Sequence, residues 1–284
     1  MEGGSMTSYQ YPDYLMHHGV KGMRWGVRKK YYNESSMNSD RIIKKGSEYG
    51  NISFGKKRSL DSSNSVYVYG HKDKNAYEGA YASDVIRNTI DGSPIKNTLR
   101  VNKDIKVASQ KHAVDTFVEM YNKDPKGMSR SIARAHAEID TFNKIDRIRN
   151  YKARKIEKKF SKKGEDWLRT KGYETFNQGL MSAKETKARD TYYEMLRKKG
   201  YGAILDVNDV NSGSSKDPLI FINAKSDLTN VKHRQLNADE IELANARYNY
   251  DQAKENRTLA NDLIYGDYHK AKSELKRVEK KYNK

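Results

Sequence analysis

Two short stretches, Tyr201–Val207 (YGAILDV) and Pro218–Asn223 (PLIFIN), constrain this chain most, because they concentrate small-apolar and aliphatic residues in an otherwise strongly hydrophilic sequence. Apolar runs of this length, bounded by turn-forming residues, read as buried strands rather than helices. The Asn-, Asp-, Gly- and Ser-containing segment Asn208–Lys216 between them reads as a loop, so the two strands pair directly or lie one strand apart in a sheet. The rest of the chain offers that sheet a limited core. Only 36% of the 284 residues are hydrophobic and the mean hydropathy is −1.02, yet 21 Tyr and an aromatic fraction of 10% exclude a wholly disordered chain. One large domain or two small ones, with long charged elements facing solvent, is the expectation. Zero Cys excludes disulfides, thiolate metal sites and cysteine nucleophiles. No apolar run approaches the ~18 residues a membrane-spanning helix needs.

Helix signals surround these strands. Val114, Phe117, Val118 and Tyr121 repeat at helical spacing behind Ser109, a suitable N-cap, so a helix is expected over 109–121. A longer helix is expected from Ser129 to about Lys163, where Ile132, His136, Ile139, Phe142, Ile145 and Ile148 form a stripe before the segment becomes overwhelmingly charged, as an exposed or partner-binding helix would. His136 on that stripe reads as a core histidine, since no second ligand completes a metal pattern. Ser182 with Glu185 has the form of a capping box opening a helix that stops at Gly200. Asn237 with Glu240 opens another, and Leu259, Leu263, Leu275, Val278 and Tyr282 continue it as a helical hairpin broken near Gly266. Earlier in the chain, Ser65–Tyr69 (SVYVY) reads as a strand and Asn75–Asn88 as a helix.

Lys and Arg number 55 against 37 Asp and Glu, giving +18 and a pI near 9.6. Such a potential favours polyanions: nucleic acid, an anionic membrane face or an acidic protein. The cations are dense in Arg24–Lys30, Lys152–Lys163 and Lys270–Lys284, and lysine-rich helix faces also serve simply as solubilising surface. With no zinc finger or ribonucleoprotein signature, any contact with nucleic acid is expected to be salt-sensitive and non-specific. Chemistry motifs are few. The sequence contains no P-loop, no dinucleotide fingerprint, no His-Glu-x-x-His and no nucleophile elbow. Asp206 and Asp209 near Asp217 read as turn residues, and adjacent His17 and His18 do not make a metal pair, so no metal site is assigned.

Residues 1–5 (MEGGS) precede a second Met and look like a flexible expression scar, with residues 6–40 as a leader ending in the polar linker Tyr31–Asp40. Within the leader, His17–Lys30 (HHGVKGMRWGVRKK) resembles the His-x-Gly-x-Lys-Gly-Met-x-Trp-Gly-x-Arg box of proteins encoded by phages and prophages of Gram-positive bacteria. The resemblance implies phage origin, association with the virion, and residence in the host bacterial cytoplasm or the particle. Three glycines, an aromatic anchor and a cluster of cations suit docking by a partner, with His18, Lys21, Met23, Arg24, Trp25 and Arg28 as the partner-binding candidates.

A second, more diffuse resemblance runs over about residues 44–228. Lys45–Tyr49 (KGSEY), Val66–Tyr69, Asp73 with Tyr77, Gly200–Asp206 and Asp217–Asn223 follow an order similar to ADP-ribosyltransferase-like domains carried by such phage proteins. The resemblance implies a split α+β sheet, mixed and antiparallel, around an NAD cleft. It also implies an Arg ending the first strand to hold the phosphates, a Ser-containing strand at the nicotinamide, and a late carboxylate facing the developing positive charge. By that likeness the cofactor-side candidates are Tyr67, Tyr69, Tyr77 and Arg58, with Arg41 as another substitute phosphate grip, and the catalytic candidates are Asp217, Glu240 and Glu242. The sequence departs from the pattern at two points: Gly50 or Asn51 stands where Arg is expected, and Tyr69 where Ser is expected. Glu240 also fits a helix cap better than a catalytic acid.

The expected organisation is therefore a leader at 6–40, an α+β domain at 41–235 with a helical region at 105–200, and a helical segment at 236–284. The expected function is a phage protein whose degenerate domain binds a phage structural protein or a host protein, a defence complex included. An active NAD-dependent mono-ADP-ribosyltransferase acting on host proteins is the second hypothesis. A basic structural or scaffolding protein contacting DNA or the capsid is the third.

Overall fold

The computed structural model describes residues 39–54, 59–60, 65–70, 94–140, 146–182, 184–207, 217–255 and 266–282. The strands are β1 (Arg41–Ile43), β2 (Glu48–Phe54), β3 (Val66–Val68), β4 (Pro94–Val101), β5 (Ile105–Ala108), β6 (Ala203–Leu205), β7 (Leu219–Phe221) and β8 (Leu228–Gln235). They form a five-stranded sheet of order β1-β5-β6-β7-β3 and a three-stranded sheet of order β2-β4-β8. The larger sheet is mixed, with β5 and β6 parallel and its other pairs antiparallel, and the smaller is antiparallel throughout. The two apolar runs pair directly, Ile204 opposite Ile220.

Strands β3, β6 and β7 of the larger sheet are buried on both faces, which is why β6 and β7 read as continuous apolar runs. One face, with Tyr67, Ala108, Ile204 and Ile220, packs on helices through Phe117, Tyr192 and their neighbours. The other, with Val66, Val68, Ala203, Leu219 and Phe221, packs on Leu99, Val101 and Leu228 of the small sheet. The result is three layers: helices, large sheet, small sheet.

Four helices form most of the helical layer: α1 (Gln110–Lys123), α2 (Pro125–Asp140), α3 (Asp146–Lys162) and, after shorter pieces described next, one over Lys187–Lys198. Ser109 caps α1 as expected, its hydroxyl accepting from the His112 amide. The long helix expected over 129–163 is instead α2 and α3. Proline at the first position of α2 suits a helix start, and Asp124 Oδ1 accepts from the Gly127 amide at 2.8 Å. A single straight rod would leave Ile156 and Phe160 in water, whereas in the pair they are buried. The expected helical region at 105–200 is corrected at its start, because Ile105–Ala108 is the strand between β1 and β6.

Beyond α3 come α4 (Glu165–Trp167), a π-helical turn (Leu168–Gly172) and α5 (Tyr173–Gly179), then α6 (Lys187–Lys198). The capping box expected at Ser182 is half formed. Ser182 Oγ accepts from the Glu185 amide at 3.0 Å, but α6 starts later, and its Ala188 amide is taken by Ser131 Oγ of α2 at 3.0 Å. Gly200, at φ +81°, ends α6 with paired bonds from the Gly200 amide to Arg197 O and from the Tyr201 amide to Leu196 O. The chain closes with α7 (Ala224–Asp227), α8 (Ala238–Glu255) and α9 (Asp267–Tyr282), where α8 and α9 pack on each other and bury Val278. Asn237 and Glu240 complete the expected capping box reciprocally, at 2.7 and 3.1 Å. The helix expected at 75–88, the leader box, Leu259 and Leu263 lie outside the described residues. No helix among those described is long and apolar enough to cross a membrane.

Candidate functional site

Gly50 and Tyr69 form a backbone bridge between the two sheets. The Gly50 amide of β2 donates to Tyr69 O at 2.8 Å and the Tyr69 amide donates back to Gly50 O at 2.9 Å. A Cβ on residue 50 would lie 2.3 to 2.7 Å from atoms of the Tyr69 ring, so no larger residue fits opposite this tyrosine. Tyr69 is 1% exposed. Gly50 and Tyr69 are thus a matched pair, and they occupy the two positions at which the family resemblance places the phosphate-binding Arg and the nicotinamide-side Ser.

The rest of the seam is neutral amide and hydroxyl. Asn51, the alternative position for the Arg, is buried and donates from Nδ2 to Tyr67 O at 2.9 Å, bridging β2 to β3. Asn97 of β4 donates to Ser53 Oγ at 2.9 Å, and Asn230 of β8 donates to Asn97 Oδ1 at 2.9 Å. Buried amides are costly unless paired, and this ladder pairs them across all three strands of the small sheet. Tyr67 is buried in the helix-side core.

Asp217 and Arg41, named separately from the sequence, are brought together: Arg41 Nη2 and Asp217 Oδ1 lie 2.5 Å apart, joining the start of β1 to the lead-in of β7. The pair consumes the free acid that an oxocarbenium-like centre needs and the free cation that a phosphate needs. Tyr49 of β2 packs edge-on against Phe221 beside it, and its hydroxyl titrates above the ordinary range because of burial and the Asp217 charge, with Arg41 opposing.

Glu240 and Glu242 are committed elsewhere. Glu240 caps α8 and is held by Arg234 at 2.6 and 2.7 Å. Glu242, two residues on and so roughly across the helix, contacts Arg277 at 3.1 Å, Lys281 at 2.8 Å and the Tyr282 hydroxyl, and Lys281 and Tyr282 hold its carboxyl down at about 2. The structure therefore gathers Asp217 with Arg41 and assigns each glutamate its own partners. Arg58, Tyr77, His18, Lys21, Met23, Arg24, Trp25 and Arg28 lie outside the described residues.

One constellation had no signal in the linear sequence. Asp40, expected as linker, accepts from the Ser109 amide at 3.0 Å, contacts His112 Nδ1 at 2.6 Å, and accepts from the Tyr201 hydroxyl at 2.8 Å and Lys106 Nζ at 3.1 Å. Burial opposes the Asp40 charge, but the bonds from Ser109, His112, Tyr201 and Lys106 outweigh it and hold the carboxyl well below its ordinary range. Burial and Asp40 push the Tyr201 phenol up to about 12. Three separate stretches of the chain contribute, residue 40, residues 106–112 and residue 201, so no spacing rule reveals the cluster. It clamps the residues entering β1 to the first turn of α1 and the lead-in of β6. His136, as expected, is mostly enclosed, and burial together with Lys152 brings its imidazole down to about 4.

A family model described as a family of unknown function (DUF7211) matches residues 8–31, a segment that contains the whole glycine-, tryptophan- and lysine-bearing box. No curated protein and no solved structure matches the chain.

Proposed function

We propose that this chain is a phage-encoded, virion-associated protein whose α+β domain is of ADP-ribosyltransferase-like type, has given up the reaction, and works by binding a phage structural or host protein. The observation that carries the loss of chemistry is the Gly50–Tyr69 pair: the positions for a phosphate-binding Arg and a nicotinamide-side Ser hold a glycine without a side chain and a ring that fills its space. The Arg41–Asp217 ion pair supports the same reading, since it neutralises the nearest candidates for both charges. Phage origin rests on the leader box, whose tryptophan and cations suit docking to a partner.

The test incubates the full chain and its Asp217→Ala variant with labelled NAD and a Gram-positive host lysate. The expected result is no nicotinamide release, no label on protein, and no heat of NAD binding by calorimetry. Labelling by the full chain that disappears in Asp217→Ala would establish an active transferase instead. Mass spectrometry of purified particles checks the virion assignment, which fails if the chain is absent from them.

A further inference from the structure

Helix α3 presents two opposed faces. Ala153, Ile156 and Phe160 are buried against the helical layer, while Arg147, Arg154, Lys155, Lys158 and Lys162 are all exposed. At 100° per residue these five cations fall within about 100° of one another, and the stripe runs roughly 22 Å along the axis. Tyr151, 67% exposed, stands within it. Where α3 ends, the stripe runs into an open cleft of about 630 Å³ between α3 and the start of α2. Lys126, Arg154, Lys158 and Lys163 line the cleft, with Tyr121 and Phe160 among its other lining residues and Glu157 as its one acid. Glu157 is engaged by Arg130 at 3.7 Å from outside that set. The four cleft cations have no carboxylate partner among the described residues, in contrast with the many paired cations elsewhere on the surface.

We propose that the α3 stripe and the adjoining cleft bind the sugar-phosphate backbone of nucleic acid without reading its bases. A linear array of cations on one face, without carboxylate partners among the described residues, matches an extended polyanion better than a compact one, and Tyr151 offers a ring on which an unpaired base stacks. A membrane surface fits less well, because an interfacial helix needs an apolar face free to enter the lipid, and that of α3 is already buried. Like-charge crowding is visible within the helix: Lys152, beside the stripe, is held below its ordinary range by burial and by Lys155 and Lys159. An anion on this face would relieve that repulsion. The proposal is independent of whether the domain handles NAD.

The test measures fluorescence anisotropy of a short labelled single strand and its duplex with the full chain over a salt series. Two charge-reversal variants are compared: Arg154→Glu/Lys158→Glu in the cleft, and Lys270→Glu/Lys276→Glu on exposed positions of α9, which changes net charge equally. The expected result is binding independent of base sequence, weakened about tenfold or more by the cleft variant, whose log–log salt slope is shallower by about two, while the α9 variant stays close to the parent. Circular dichroism confirms that both variants keep the parent's helix content. Equal losses in the two variants would overturn the site, leaving only bulk charge. Stronger cleft-dependent binding to polyglutamate or to phosphatidylserine vesicles than to either oligonucleotide would overturn the nucleic-acid assignment.

Discussion

The seam between the sheets and the outer face of α3 are opposites. At the seam, polar groups are buried, uncharged and bonded to one another, and Tyr69 occupies the space a side chain on residue 50 would need. On α3, charges of one sign stand in water with few acids among them. A buried amide ladder contributes by being satisfied, and rigidifies what it joins. An uncompensated cationic face contributes nothing to folding and retains its interaction energy for a partner. In this molecule the seam is the closed region, and the outer face of α3 is the open one.

The sharpest way to break that contrast is to reopen the seam. Gly50→Arg should cost about 3 kcal/mol or more in chemical denaturation, because its Cβ collides with the Tyr69 ring. The double variant Gly50→Arg/Tyr69→Ser should recover part of that loss, a non-additivity showing that the two residues are coupled through shared space. Next in size, Asn97→Ala should cost about 1–3 kcal/mol in the same assay, because it removes the buried hydrogen bonds that join Asn97 to Ser53 and Asn230 across the small sheet. On the open face the same kind of change should leave stability untouched: Tyr151→Ala should weaken single-strand binding by about tenfold with no change in the unfolding midpoint.

Two smaller effects test the ionic contacts. The folded-state carboxyl of Asp40 sits below its ordinary value of 3.8, so its stabilisation is complete above that pH and is lost as pH falls below it. The stability gap between the parent and Asp40→Asn should therefore be constant from neutral pH down to about 5 and narrow on further acidification, read by urea unfolding across pH. Glu242→Gln should produce the least change, a melting temperature within error of the parent, because its partners Arg277 and Lys281 are exposed and screened.

What the sequence revealed depended on whether a signal was local. Ser109 before an apolar stripe, Asn237 with Glu240, and Gly200 after α6 are contained within one turn of helix, and the structure has each. The apolar runs at β6 and β7 were legible because both faces of that sheet are covered. β8 was not anticipated: only its first residue, Leu228, is buried, so LTNVKHRQ carries no clear alternation and its place is set by pairing with β4. Nor does the sequence signal that Asn51 and Asn97 are buried, since an amide is a strand interior residue only when another strand supplies its partners. At the candidate site, the departures at Gly50 and Tyr69 were visible one at a time, but their contact is a property of two strands meeting. The long stripe over 129–163 reads as one helix because periodicity does not record where a helix folds back on its neighbour.

The order of strands in the large sheet has a consequence for synthesis. Among the described strands, β1 and β3, made early, are its outermost ones, while β6 and β7, made about 160 and 150 residues later respectively, lie between them. As the nascent chain leaves the ribosome, β3 has no neighbour in its own sheet among the described residues until residues 219–221 emerge, and β5 must hold its place while all of α1 to α6 is made before its parallel partner arrives. Stitching Gly50 to Tyr69 early would give β3 a temporary anchor on β2 during that wait. A chain cut short before Leu219 would keep that anchor and still expose the edge of β3, and such a fragment should aggregate rather than fold.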